Sequence, residues 1–132
     1  MEFLQDLFSL VGRVLISCMF LWAAYEKITH WNASGDYLRK KKIPHVTYVL
    51  PIAATLQVVG GLFVLLGLMP RLGAFFLLVY MIPHTYMLHD FWKMNDGEGK
   101  LIEKLFFMKD LAIIGGLLVI LSVGGGSFAI SH

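Results

Sequence analysis

Four long apolar stretches alternate with short polar ones along the chain. They cover approximately residues 7–28, 48–69, 72–89 and 105–123, and each is long enough to cross a bilayer as a helix. Because lipid offers no partners to backbone N–H and C=O groups, a spanning stretch of this length must be helical. The pattern predicts an all-α fold, an antiparallel transmembrane four-helix bundle that forms a single integral membrane domain over residues 1–132.

Small residues indicate where the spans approach one another. Gly60, Gly61 and Gly67 lie in the second apolar stretch, and Gly115 and Gly116 lie in the fourth. Helices in lipid pack most closely where side-chain bulk is missing. We therefore expect close helix–helix contacts at these glycines.

The composition agrees with a membrane protein. The chain is 58% hydrophobic and 15% charged, with a mean hydropathy of +0.71. Its net charge of +2 is small and its basic residues lie in loops, which excludes nucleic-acid binding as a function. We expect the protein to be surrounded by membrane lipid. Four spans are few to form a transport path, so assembly into a homo-oligomer is kept as an alternative to a single chain.

The loop charges predict the orientation of the chain. Basic residues concentrate in residues 29–47 and 90–104, whereas the opposite side carries little beyond Arg13 and Arg71. Loops rich in lysine and arginine stay in the cytoplasm. We therefore expect both basic loops to be cytoplasmic and both termini to lie outside, in a prokaryotic inner membrane.

Polar residues interrupt the apolar stretches and are candidates for a functional site. A charge at membrane depth is costly, so each one indicates a ligand, a proton path or a buried pair. The candidates for a ligand-binding or polar cluster are Glu26, Lys27, Gln57, His84, His89, Asp90, Lys109 and Asp110. A structural network that only fixes the helix register is the alternative. Catalytic residues are not identified.

Specific pairs follow from the helix geometry. Lys109 and Asp110 are adjacent, so they point about 100° apart on a helix and each needs a partner on another span. We expect Lys109 to pair with Glu26. We expect Asp110 to pair with His84 or Arg13.

No metal site is predicted. His84 and His89 are five positions apart, about 140° around a helix, so both cannot face one ion unless Pro83 distorts the backbone. A buried His84 could bond a quinone carbonyl, shuttle a proton or ligate haem iron, or it could be a satisfied core residue. The cofactor stays open, with quinone ranked ahead of haem. Cys18 is the only cysteine, which excludes a two-cysteine relay within this chain.

The order and spacing of several short motifs resemble those of the DoxX family, from about residue 12 to residue 119. These motifs are Gly12-Arg13, Lys27, Gln57-Val58-Val59-Gly60-Gly61, Leu66-Gly67-Leu68 with Arg71 after it, His89-Asp90-Phe91-Trp92, and Lys109-Asp110-Leu111-Ala112 followed by Gly115-Gly116. Two positions depart from the family pattern, which often has glutamate at Gln57 and asparagine at Asp110. The acidic group is thereby moved from the second span to the fourth.

The resemblance implies a small four-helix membrane protein linked to redox chemistry. One archaeal member is a subunit of a thiosulfate:quinone oxidoreductase, and the family supplies no agreed catalytic residues. We therefore expect an accessory or quinone-interacting membrane subunit that works with a redox partner protein; whether it is itself an enzyme stays open. The alternatives are a non-catalytic scaffold that recruits a soluble partner through basic residues 39–42, and a small transporter or lipid-binding protein.

Overall fold

Four of the helices are long and apolar enough to cross a membrane, as predicted. The computed structural model of the chain describes residues 2–89, 91–94 and 97–124, and within these it contains helices and no strand. The helices are α1 Glu2–Thr29, α2 Trp31–Lys40, α3 Val46–Leu66, α4 Pro70–Leu88 and α5 Glu98–Val123, with a short 3₁₀ helix at Phe91–Lys93. The all-α prediction with four spans is confirmed.

Helix α2 was not predicted, because its residues read as a basic loop. The segment contains Asn32, Gly35 and Asp36, which are weak helix formers. Gly35 is buried against Val46 and Leu50 of α3, so the backbone of α2 can lie directly on that helix. Tertiary packing, which local sequence does not reveal, therefore accounts for α2.

Helix α3 lies at the centre of the bundle. It packs against both α1 and α4, and α4 packs in turn against α5. Phe20, Val64, Leu77 and Leu117 contribute one fully buried side chain from each span to a shared core. This core joins the four spans into one bundle, and their antiparallel course stays a prediction.

The spans approach one another closely at two glycines of α3. A Cβ atom on Gly60 would lie 2.8 Å from Leu77 Cγ and 2.9 Å from the Gly73 carbonyl oxygen. A Cβ atom on Gly61 would lie 2.9 Å from a methyl carbon of Leu21 on α1. The prediction of close contact is therefore confirmed at Gly60 and Gly61.

The other predicted glycines have different surroundings. Gly67 ends α3 in the left-handed conformation with φ 69°, so its role is to terminate the helix. Gly115 lies on the exposed face of α5, and a Cβ atom there would meet nothing within 4 Å among the residues described. A Cβ atom on Gly116 would make an ordinary 3.5 Å contact with Ile16. The expectation of close approach was wrong at Gly115, and it stays a prediction at Gly67, which is buried.

Arg13 is buried against the carboxyl end of α3. Its Nη1 donates to the carbonyl oxygens of Val64, at 2.9 Å, and Leu65, at 3.4 Å. Carbonyls in the last turn of a helix lack partners within the helix and carry its negative partial charge. Arg13 therefore stabilises the end of α3, and its expected pairing with Asp110 was wrong.

Candidate functional site

A network of polar side chains begins between α1, α3 and α4. Lys27 Nζ donates to Gln57 Oε1 at 2.7 Å and to the Tyr80 hydroxyl oxygen at 3.2 Å. The same hydroxyl lies 3.2 Å from His84 Nδ1, one turn further along α4. One ammonium group thus connects three spans.

The network continues to α5 through His89. The rings of His84 and His89 meet edge to face, with centroids 5.4 Å apart. His89 Nδ1 lies 2.9 Å from Glu103 Oε2, and its Nε2 lies 3.4 Å from Asp110 Oδ2. The Thr85 hydroxyl donates to the same Asp110 oxygen at 3.1 Å. Polar groups therefore cross the bundle from α3 to α5.

The network is shielded from the surroundings. Gln57 is 1% exposed, Thr85 3% and Asp110 9%. Charged groups at this depth are tolerated only when hydrogen bonds or opposite charges replace water. For Lys27, Gln57 supplies the shortest hydrogen bond and the Tyr80 ring supplies a cation–π contact, 4.6 Å from Nζ to the centroid.

An apolar cavity of about 520 Å³ lies beside the network. Side chains from α2, α3 and α4 form most of its wall. Lys27, Tyr80 and His84 form a polar patch in that wall. An apolar chamber with a few convergent polar groups is typical of a small-molecule site.

The cavity reaches the outer surface of the bundle. Ile52 and Val79 belong to its wall and are also exposed, as is Met87. These residues lie on α3 and α4, which are membrane-spanning in length and composition, so their exposed faces contact lipid. The cavity therefore opens on the apolar outer face of α3 and α4.

Most of the predicted site residues meet in this network. Those brought together are Lys27, Gln57, His84, His89 and Asp110. Glu26 and Lys109 are exposed and lie outside it, so their predicted pairing was wrong. Glu26 instead faces His30, which directly follows α1, at 3.9 Å. Asp90 lies outside the described residues.

The expectation that His84 and His89 point apart was wrong. Helix α4 ends at Leu88, and His89 follows with φ −108° and ψ 55°, which are not helical values. The 140° offset of an ideal helix therefore does not apply. The His89 ring lies beside His84 and between two acidic side chains of α5.

Three members of the network were missed in the sequence. Tyr80 is four residues before His84, a spacing that places both on one helix face and could have identified it. Thr85 carries no charge and gave no signal. Glu103 was assigned to the loop 90–104, whereas α5 begins at Glu98 and carries Glu103 within the helix.

Comparisons with known proteins agree with this architecture. The DoxX family model matches residues 8–90. Inner membrane protein YqjF of Escherichia coli is 32% identical over the whole chain and 95% of its own length. Inner membrane protein YphA of the same organism is 21% identical over 93% of the chain and 87% of its own length.

A shorter match is to an animal protein. An uncharacterized protein of Caenorhabditis elegans is 37% identical over 52% of the chain, which corresponds to 24% of that protein. No solved structure gives a significant match. With four spans, a family model that matches most of the chain and a full-length relative, the chain belongs to the DoxX family and is a multi-pass integral membrane protein.

Proposed function

We propose that this protein is a quinone-binding membrane subunit of a redox system, located in a bacterial inner membrane like its two Escherichia coli relatives. The observation that carries the proposal is the apolar cavity with Lys27, Tyr80 and His84 in its wall. A quinone combines an apolar ring and tail with carbonyl oxygens that accept hydrogen bonds. The cavity offers the matching chemistry, with entry from the lipid.

The donors lie close enough to act together. Lys27 Nζ and the Tyr80 hydroxyl are 3.2 Å apart, so both can reach one carbonyl oxygen of a bound ring. An ammonium group stabilises negative charge that develops on that oxygen during reduction. In this role, Lys27 is the main polar contact and Tyr80 the second.

The rest of the network extends from the cavity to α5. His84 contacts the Tyr80 hydroxyl, and His89 joins His84 to the side chain of Glu103, which is 17% exposed. Reduction of a quinone to a quinol takes up two protons with two electrons, and imidazole and carboxyl groups are suited to relay protons. In this role the electrons come from a bound cofactor or a partner protein, because this chain has a single cysteine and no dinucleotide fingerprint.

Replacing Lys27 by methionine is expected to weaken quinone binding at least about tenfold, since a hydrogen bond from a charged donor is lost. The purified protein in lipid nanodiscs would be titrated with a short-chain ubiquinone, with tryptophan fluorescence as the readout. Lys109→Met is the matched control, because Lys109 is an exposed lysine on a span outside the network. Equal affinities of the wild type and a folded Lys27→Met variant would contradict the proposal.

The loop charges carry a separate proposal, that the segments joining α1 to α3 and α4 to α5 lie in the cytoplasm and that both termini lie outside. Basic loops remain on the cytoplasmic side. Alkaline phosphatase fused after the last residue should be active, and a green fluorescent protein fusion at the same site should be dark. An inactive phosphatase fusion together with a fluorescent protein fusion that is bright would contradict this orientation.

A further inference from the structure

We infer that His84, His89 and Asp110 form a binding site for a divalent first-row transition-metal ion. One ring nitrogen of each histidine and one carboxylate oxygen of Asp110 lie within 4.8 Å of one another. The three residues come from α4, from the position just after it, and from α5. Two imidazoles and one carboxylate with a position left open is the donor set of many zinc and non-haem iron sites.

The spacing of the donors fits an ion with short bonds. With metal–ligand bonds of about 2.0–2.1 Å, neighbouring donors in a tetrahedral site are about 3.3 Å apart. His89 Nε2 and Asp110 Oδ2 are already 3.4 Å apart. The remaining distances, at most 4.8 Å, close with side-chain movements of about 1.5 Å.

Each donor has a partner that orients it. His89 Nδ1 lies 2.9 Å from Glu103 Oε2, which favours the tautomer with its lone pair on Nε2, facing Asp110. Metal-bound histidines almost always have such a second partner. Thr85 donates to the Asp110 carboxylate and restricts its rotation.

His84 is oriented in the same way by Tyr80. When His84 Nδ1 carries the proton and donates to the Tyr80 oxygen, 3.2 Å away, its Nε2 lone pair is available to an ion. In that tautomer His84 would have the same division of roles as His89, with Nδ1 bonded to the protein and Nε2 free to bind the metal.

The local charge also favours a cation. Asp110 is 9% exposed at the depth of the membrane, and Glu103 lies on the other side of His89. Both acidic side chains flank the His89 ring, and an ionised carboxylate in surroundings of low polarity is stabilised by a positive partner. A divalent ion offsets that charge directly.

Metal titration of the full chain tests the site without any quinone present. The protein, freed of its purification tag and stripped with a chelator, would be titrated in nanodiscs with Co²⁺, whose visible absorption reports coordination, and with Zn²⁺ by calorimetry. One equivalent is expected to bind. Affinity should fall at least about tenfold in His89→Gln and Asp110→Asn, and about tenfold in Glu103→Gln, which alters only the orienting group.

The controls are His30→Gln and His45→Gln, because both histidines are exposed. Both control variants should bind the ion with the affinity of the wild type. The elution volume in size-exclusion chromatography and the helix content from circular dichroism should confirm that every variant is folded. Absence of stoichiometric binding, or equal affinity in the wild type and a folded Asp110→Asn variant, would overturn the inference. Since no quinone is involved, that result would leave the quinone proposal standing.

Discussion

Replacing Gly60 by leucine should prevent formation of the folded bundle. A Cβ atom alone would lie 2.8 Å from Leu77 Cγ and 2.9 Å from the Gly73 carbonyl oxygen. The Gly73 oxygen belongs to the backbone, so it can move only if α3 and α4 separate. Overpacking by even one or two carbons costs about 1–3 kcal/mol, and leucine adds four. The expected loss therefore exceeds about 3 kcal/mol.

The yield of monodisperse protein after detergent extraction, followed by thermal unfolding, would measure the effect. Gly60→Ala should show a graded loss of about 1–3 kcal/mol. Gly115→Leu is the matched control, because a Cβ atom at Gly115 meets nothing within 4 Å in the described part of the chain. A similar loss in the Gly115 and Gly60 variants would show that close packing between α3 and α4 does not stabilise the bundle.

Gln57→Leu should destabilise the protein by about 2–3 kcal/mol, because it removes the acceptor closest to a buried ammonium group. Gln57 is 1% exposed, and its Oε1 lies 2.7 Å from Lys27 Nζ. Leucine fits the apolar surroundings but leaves the Lys27 charge with weaker compensation. Reversible unfolding in mixed detergent micelles would give the free energy difference.

Two further variants separate charge compensation from packing at this position. Gln57→Glu keeps an acceptor and adds the opposite charge, so its stability should equal or exceed that of the wild type. In a Lys27→Met background, Gln57→Leu should cost little, because no ammonium group remains. If Gln57→Leu costs the same with and without Lys27, the hydrogen bond does not account for the loss.

The spans could be predicted from the sequence because length and apolarity alone define them. Which residues of each span face the interior of the bundle could not be predicted. The spans are apolar on nearly all sides, so no stripe identifies the inner face. Lys109 and Asp110 illustrate the problem: both were expected to be buried, yet only Asp110 is, and it contacts Thr85 of α4 and His89 just after that helix.

Helix ends caused the other errors. The angle between His84 and His89 was calculated for a continuous helix, but α4 ends at Leu88. Glu103 was placed in a loop because charged residues precede it, although α5 already begins at Glu98. Sequence signals fix helix ends only to within a few residues, and this uncertainty concealed Glu103 and the close approach of His84 and His89.

Native mass spectrometry of the protein, extracted gently from its own membrane, would test quinone binding most directly. One quinone per chain is expected in the wild type and in Lys109→Met, and its loss is expected in Lys27→Met. Wild-type chains that carry lipid or a partner protein but no quinone would contradict the proposed function and favour a scaffold.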